Sequence, residues 1–217
     1  MAISFPRTFP DELGVGGWTF PPLPMAEITP LRSGKQISKD LGPTLWKPTW
    51  KSVPLTEAKA GAVRAWYDTL TSIGEFYGYD KLRQYPLAYA SGWGDLTVSA
   101  SPFDGSGRLT DVAVNNVEIT LDQLPIGFIL SPGDYLAFNY LSGAARALHR
   151  VSAQATANGS GVMTVEVRPH IRAGWDDNAE VMLYRPSARM VILPGTYSES
   201  IEVPMLTSIS FEAIQTL

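Results

Sequence analysis

The chain has no cysteine among its 217 residues, which excludes a disulfide framework, a thiolate zinc site, an iron–sulfur cluster and a thiol nucleophile. A chain of this length buries roughly 70% of its unfolded surface, so it needs none of these for stability. Histidine is almost as scarce, with only His149 and His170. Each stands at a strand-like position beside arginine, in LHRV and RPHIR. Neither has a nucleophile and an orienting carboxylate at a spacing that would build an acid–base set, so both read as structural or surface histidines. Charge is thin as well, at 18% of residues against about 25% in ordinary globular chains. The 17 Lys and Arg are scattered and the formal net charge is −4, which argues against nucleic acid as a partner. No run approaches the roughly 18 apolar residues of a membrane span. The opening MAISFPRTFPDELGVGGWTF also lacks the apolar core of an export signal. The expectation is a soluble protein with no membrane insertion.

Proline, at 17 copies, and the aromatics, with 6 Trp, 9 Tyr and 8 Phe, are plentiful instead. Aromatic enrichment with charge depletion marks surface covered by another protein, or else a turn-rich all-β domain, and composition leaves both open. Pro6, Pro10, Pro21, Pro22, Pro24 and Pro30, with Gly14, Gly16 and Gly17 between them, break any long helix or central strand. Residues 1–24 therefore read as an extended arm with Trp18 and Phe20 as apolar anchors, lying on a neighbour or on its own domain.

From Met25, MAEITPLRSGKQISKDLG reads as two short strands about Ser33-Gly34. LWKPTWKSVPL alternates so that Trp46, Pro48 and Trp50 share a buried face while Lys47 and Lys51 point away. One helix follows. Thr56 stands at its N-cap with Glu57 in the first turn, and Ala60, Val63, Trp66, Tyr67, Leu70 and Ile73 recur at helical spacing before Gly74. GEFYGYDKLRQYP then reads as an aromatic strand entered by a loop.

Near Trp93 the composition shifts to short β-branched stretches: DLTVSAS, DVAVNNVEITL, GDYLAFNYL, ALHRVSAQAT, GVMTVEVRP and AEVMLYRP. Turn signals stand at Asp104-Gly105, Pro132-Gly133 and Asn158-Gly159. This spacing predicts a small antiparallel barrel or sandwich, and Asn158-Gly159 is the strongest hairpin signal. MVILP, SIEVPML and TSISFEAIQTL supply three last strands. The fold class is mainly β with one principal α-helix. The expected domains are the arm 1–24, an α+β unit of 25–92 plus 189–217, and a small β-barrel insertion of 93–188.

No motif carries catalysis. Gly159-Ser160-Gly161 lacks the strand-to-helix setting of a nucleophile elbow. Asp104-Gly105-Ser106-Gly107 with Asp111 has too few carboxylates for a calcium loop. Gly14, Gly16 and Gly17 fit no phosphate-binding fingerprint, and Asp176-Asp177 reads as a solvated turn. No catalytic residue, cofactor or metal is expected. Trp18, Trp46, Trp50, Trp66, Trp93 and Trp175 leave a carbohydrate-binding module open as an alternative, should several be exposed together, although burial is the simpler reading for Trp50 and Trp66.

The order DLGPTLWKPTWKSVPLT, then EAKAGAVRAWYDTLTSIGEFYGYD, then QYPLAYA resembles the N-terminal domain of distal tail proteins of long-tailed bacteriophages. The run LSPGDYLAFNYLSGAARALHRVSAQATANGSGVMTVEVRPHIRAGWDDNAEVMLYRP is similar to a passage of such tail-tip proteins. Together they cover residues 25 to 90 and 125 to 186. The resemblance implies a structural virion protein with no catalysis, made in the bacterial host cytoplasm and placed at the tail tip. It also implies a homo-oligomeric ring, typically a hexamer, that joins the tail tube protein to the tail hub protein. A tail-tube-like β-sandwich or barrel domain would line the lumen and the insertion would decorate the outside. On this reading Trp46, Trp50, Val63, Trp66 and Leu70 form the N-terminal core, and Trp18 and Phe20 dock on an adjacent subunit. A closed ring needs two different patches on each copy, which suits a charge-poor, aromatic surface.

Overall fold

The computed structural model describes residues 3–14, 16–70, 74–202 and 205–216. Ile73 of the helical spacing, and Val203, Pro204 and Leu217 of the expected last strands, lie outside them. The chain is mainly β with one helix. Its first part holds β1 (Arg7–Thr8), β2 (Gly17–Thr19), β3 (Pro22–Pro30), β4 (Gln36–Trp46), β5 (Thr49–Lys51) and α1 (Glu57–Asp68). The middle holds β6 (Phe76–Tyr79), β7 (Thr97–Val98), β8 (Ser101–Pro102), β9 (Ser106–Val112), β10 (Glu118–Asp122), β11 (Ile129–Leu130), β12 (Tyr135–Tyr140) and β13 (Ala145–Val151). The last part holds β14 (Ala155–Thr156), β15 (Met163–Arg168), β16 (Ala179–Met182), β17 (Ser187–Ile192), β18 (Ser198–Glu202) and β19 (Leu206–Gln215). Two compact units result, one of residues 1–5, 10–75 and 190–216, the other chiefly of 6–9 and 76–189. The sequence reading placed the boundary at 92/93. Segment 76–92 instead belongs with the barrel, because Tyr89 packs against its buried cluster.

In the first unit β19 is the organiser. It pairs antiparallel with β18 through Ser198↔Ser210, with β5 through Phe211↔Trp50, and with β17 through Val191↔Ile214. The period-two pattern of β19 puts Ile209, Phe211 and Ala213 inside, all buried. Against them lies α1, whose Ala60, Val63 and Trp66 fall on one stripe and are buried. The Trp66 ring stands 5.9 Å from Phe211, and Trp50 stands 5.4 Å from it on the other side. Trp46, Trp50, Val63, Trp66 and Leu70 are all core, as expected. Lys47 and Lys51 point away from Trp46, Pro48 and Trp50 as the parity requires, although the strand is interrupted between β4 and β5 at Lys47-Pro48.

Two local expectations of α1 change. Thr56 has the extended backbone of an N-cap but its side chain makes no capping bond. The helix also ends at Asp68, well before Gly74, because the Thr69 hydroxyl donates to the Trp66 carbonyl at 2.6 Å and takes up a carbonyl that the next turn would have used. Gly74 serves a close approach instead. A Cβ there would lie 2.8 Å from the Leu70 Cα and 2.8 Å from the Phe5 ring.

The second unit is a closed six-stranded antiparallel barrel in the order β10-β15-β13-β12-β16-β9. Leu109, Ile119, Leu121, Phe138, Val165 and Val181 fill it, each at alternate positions of its strand. DVAVNNVEITL forms a hairpin between β9 and β10. Asn116 adopts φ 54°, and the Asn115 side chain accepts from the amides of Val117 and Glu118, so two polar residues that tolerate left-handed backbone turn the chain. The turn at Asn158 is real, but the left-handed glycine is Gly161, with φ 73°, not Gly159. Asn158 Oδ1 accepts from Ser160 and Val162, so the loop closes one residue later than a two-residue turn. Trp93 packs among Tyr85, Tyr89, Phe103 and Phe128, with ring centroids 5.0–6.0 Å away.

Asp134 is a buried carboxylate that the sequence reading did not single out. Its oxygens accept from the Ser131 amide at 2.7 Å and the Leu87 amide at 2.9 Å, and burial pushes its pKa up against those bonds. Asp134→Ala leaves both amides without an acceptor and is expected to cost about 1–3 kcal/mol in urea unfolding.

Candidate functional site

The arm expected over residues 1–24 is folded into the protein, which corrects the reading of its anchors. Phe20 is only 6% exposed and its ring lies 5.6 Å from Trp46 and 6.0 Å from Trp50. It is core of its own unit and has no free face for a neighbour. Trp18 is half-buried and sits opposite Trp50 in the β2–β5 ladder. Upstream, Leu13 is wholly buried, and β1 pairs parallel with β6 while Phe9 packs 5.9 Å from Phe76 and 5.7 Å from Tyr79. The prolines break the segment into two- and three-residue strands, too short to register as periodicity yet long enough to be paired.

A ribbon of exposed apolar side chains lies just downstream, in the β3–β4 hairpin. Its strands are longer than expected, nine and eleven residues, and pair from Pro22↔Trp46 at the root to Pro30↔Gln36 at the tip. Gly34, at φ 80°, donates its amide to the Leu31 carbonyl, and the Leu31 amide donates to the Lys35 carbonyl. Ile28 is 61% exposed, Ile37 56% and Leu41 61%, with Met25 and Leu31 also exposed. Ile28 pairs with Ser38 while Ile37 pairs with Thr29. Adjacent positions point to opposite faces, so the two isoleucines are presented on both sides of the ribbon. An isolated two-stranded hairpin is marginal in water, and exposed aliphatics on both faces are unusual for a free surface.

The residues weighed for chemistry stay apart. His149 lies inside the barrel wall, 3% exposed, stacked on Phe138 at 5.5 Å with Nδ1 2.9 Å from the Pro169 carbonyl. Its Nε2 has no partner, and burial pushes its pKa down to about 4. His170 is exposed. Asp104 accepts from the Ser106 amide and hydroxyl, bonds that lower its pKa, and so serves a turn. Asp176 accepts from the Ser142 amide, and Ser160 belongs to the Asn158 loop. Among the described residues no three His, Cys, Asp or Glu stand close enough to hold a metal ion. No helix of the described chain is long and apolar enough to cross a membrane. Trp46, Trp50 and Trp66 are buried and Trp18, Trp93 and Trp175 are half-buried, so no exposed tryptophan platform for sugar stacking is present among the described residues. No protein-family model matches the chain, and no curated protein matches it.

Proposed function

We propose that this chain is a structural subunit that assembles with copies of itself into a ring at the distal end of a phage tail, between tail tube and hub. The observation that carries the self-assembly is the β3–β4 hairpin, a ribbon with Ile28 on one face and Ile37 on the other, both more than half exposed. A neighbouring copy laid against it would remove that apolar area from water. The tail position rests on the resemblance of the segments before and after α1 to distal tail proteins, and an architecture of a β-sheet unit with one helix and a small barrel is compatible with it. The low charge fits a subunit much of whose surface faces protein. Negative-stain images of the purified protein are expected to show rings with a central hole, and light scattering a mass several times the 23.6 kDa of one chain. A monomer at every concentration rejects the ring.

A further inference from the structure

The β3–β4 hairpin has two outer edges, and they differ. In an antiparallel ladder, residues that exchange no bonds with the partner strand turn their N–H and C=O outward. The Leu31 amide donates to the Lys35 carbonyl, which sets the phase. The next pair, Pro30↔Gln36, is therefore of the unbonded kind, as are Ile28↔Ser38 and Ala26↔Asp40. At the root the Lys47 amide donates to the Pro21 carbonyl, so Pro22↔Trp46 is unbonded too. The outward positions of β3 thus include Pro22 and Pro30, which have no N–H to offer, and Pro24 stands where the register shifts between them. On β4, Gln36, Ser38 and Asp40 turn both a donor and an acceptor outward, and among the described residues no third strand pairs with this hairpin. Only the root of that edge is taken, where the Trp46 amide donates to Gln215 Oε1 at 3.3 Å. Prolines guard β3 and leave β4 open.

We propose that two copies of this chain pair antiparallel along Gln36–Asp40 of β4, about a two-fold axis at Ser38, to give a four-stranded sheet in the order β3-β4-β4-β3.

The register follows from charge. Only outward groups can bond one another, so Gln36, Ser38 and Asp40 of one copy must face the same three of the other. An axis at Lys39 or at Asp40 would set that charge against itself, and an axis at Ile37 would oppose Lys35 to Lys39. With Ser38 on the axis no like charges meet. The Gln36 amide lies opposite the Asp40 carboxylate of the second copy, Ile37 opposite the stem of Lys39, and Leu41 opposite the stem of Lys35. Ile37 and Leu41, 56% and 61% exposed, lose water in this way. Lys39, the charge that would otherwise guard this edge, already stands opposite Glu27 within its own hairpin. A lone hairpin is marginal in water, whereas three or more strands are stable, so pairing supplies what the ribbon lacks. The contact stands apart from the ring reading. A two-fold contact closes at two copies, so beside ring contacts it joins one ring to a second, and both faces of the ribbon stay open to a neighbour.

The test uses the full chain. Because it has no cysteine, Ser38→Cys gives one thiol that meets its own copy at the axis, with Cα atoms about 5.5 Å apart, within reach of a disulfide. Under mild oxidation this variant is expected to form a linked dimer. Ile28→Cys, at a position 61% exposed, would lie three strand spacings, roughly 14 Å, from its own copy and is expected to stay unlinked. Ser38→Pro removes an outward N–H that the pair with Ile28 does not use. It is expected to raise the dissociation constant of the pair about tenfold or more, read by sedimentation, with an unchanged thermal midpoint. Failure of Ser38→Cys to link, equal linking by Ile28→Cys, or a Ser38→Pro chain that associates like wild type overturns the pairing and leaves the ring. A wild-type species of two chains and no larger one supports the pairing and rejects the ring. A wild-type chain that is monomeric throughout overturns both.

Discussion

Replacing Ile28, Ile37 and Leu41 together by aspartate is expected to give a folded monomer in place of the assembly proposed for the wild-type chain. The three side chains are 56–61% exposed, so they add little to the stability of their own unit. Covering them by a neighbour would remove about half of each aliphatic surface from water, on the order of 1 kcal/mol apiece. Aspartate forfeits that gain and brings charges that would have to be desolvated. A loss of about 3–5 kcal/mol per contact corresponds to a fall in affinity of roughly 150- to 4000-fold. The mass from light scattering should drop to that of one chain while the thermal midpoint moves little. Assembly that survives the triple change would show that the hairpin is not the contact.

The second large effect is a loss of barrel stability in acid. Neutral His149 donates from Nδ1 to the Pro169 carbonyl and leaves Nε2 as a buried, unpartnered acceptor. Protonating it would place a charge and an unsatisfied N–H inside the barrel wall, where the field of Arg172 also opposes it. The folded chain therefore holds this pKa down at about 4 against an ordinary value of 6.5. Between those values the unfolded chain binds a proton that the folded chain refuses. Stability is thus highest above pH 6.5, falls as the pH drops toward 4, and loses nothing further from this group below it. The full loss is about 3 kcal/mol. Urea titrations of wild type and His149→Phe across this window should differ in slope, the variant being flatter because a phenyl ring can stack on Phe138 without taking a proton. Parallel slopes would show that His149 is not the acid-sensitive group.

Much of the fold is legible in the sequence because burial imposes period. Trp46, Trp50, Val63, Trp66 and Leu70 lie on faces that the alternation of LWKPTWK and the helical spacing after Thr56 define, and all five are core. The barrel strands from Tyr135 to Met182 are likewise visible as short β-branched stretches between turns. Where no single face is buried, the pattern fades. In the β3–β4 hairpin the exposed apolar residues Met25, Ile28 and Leu31 are three apart, which in a strand sends neighbours in that series to opposite faces. It looks like weak alternation and is in fact a two-sided ribbon. Phe20 was misread for another reason. Proline density marks the absence of long elements, but it says nothing about whether one aromatic between two prolines reaches the core.

The pairing of β5 with β19 also sets an order of events during synthesis. Trp50 meets Phe211 across that ladder, so the two sides of the first unit's sheet are about 160 residues apart in the chain. Until β19 has been made, Trp46, Trp50 and the apolar stripe of α1 have no sheet to close on. The barrel strands, by contrast, all lie between Ser106 and Met182 and can pair earlier. Contacts of such long range form slowly. The β3–β4 hairpin pairs only within residues 22–46 and can form early, but its root at Trp46 gains the core beneath it only when the last strand has been made.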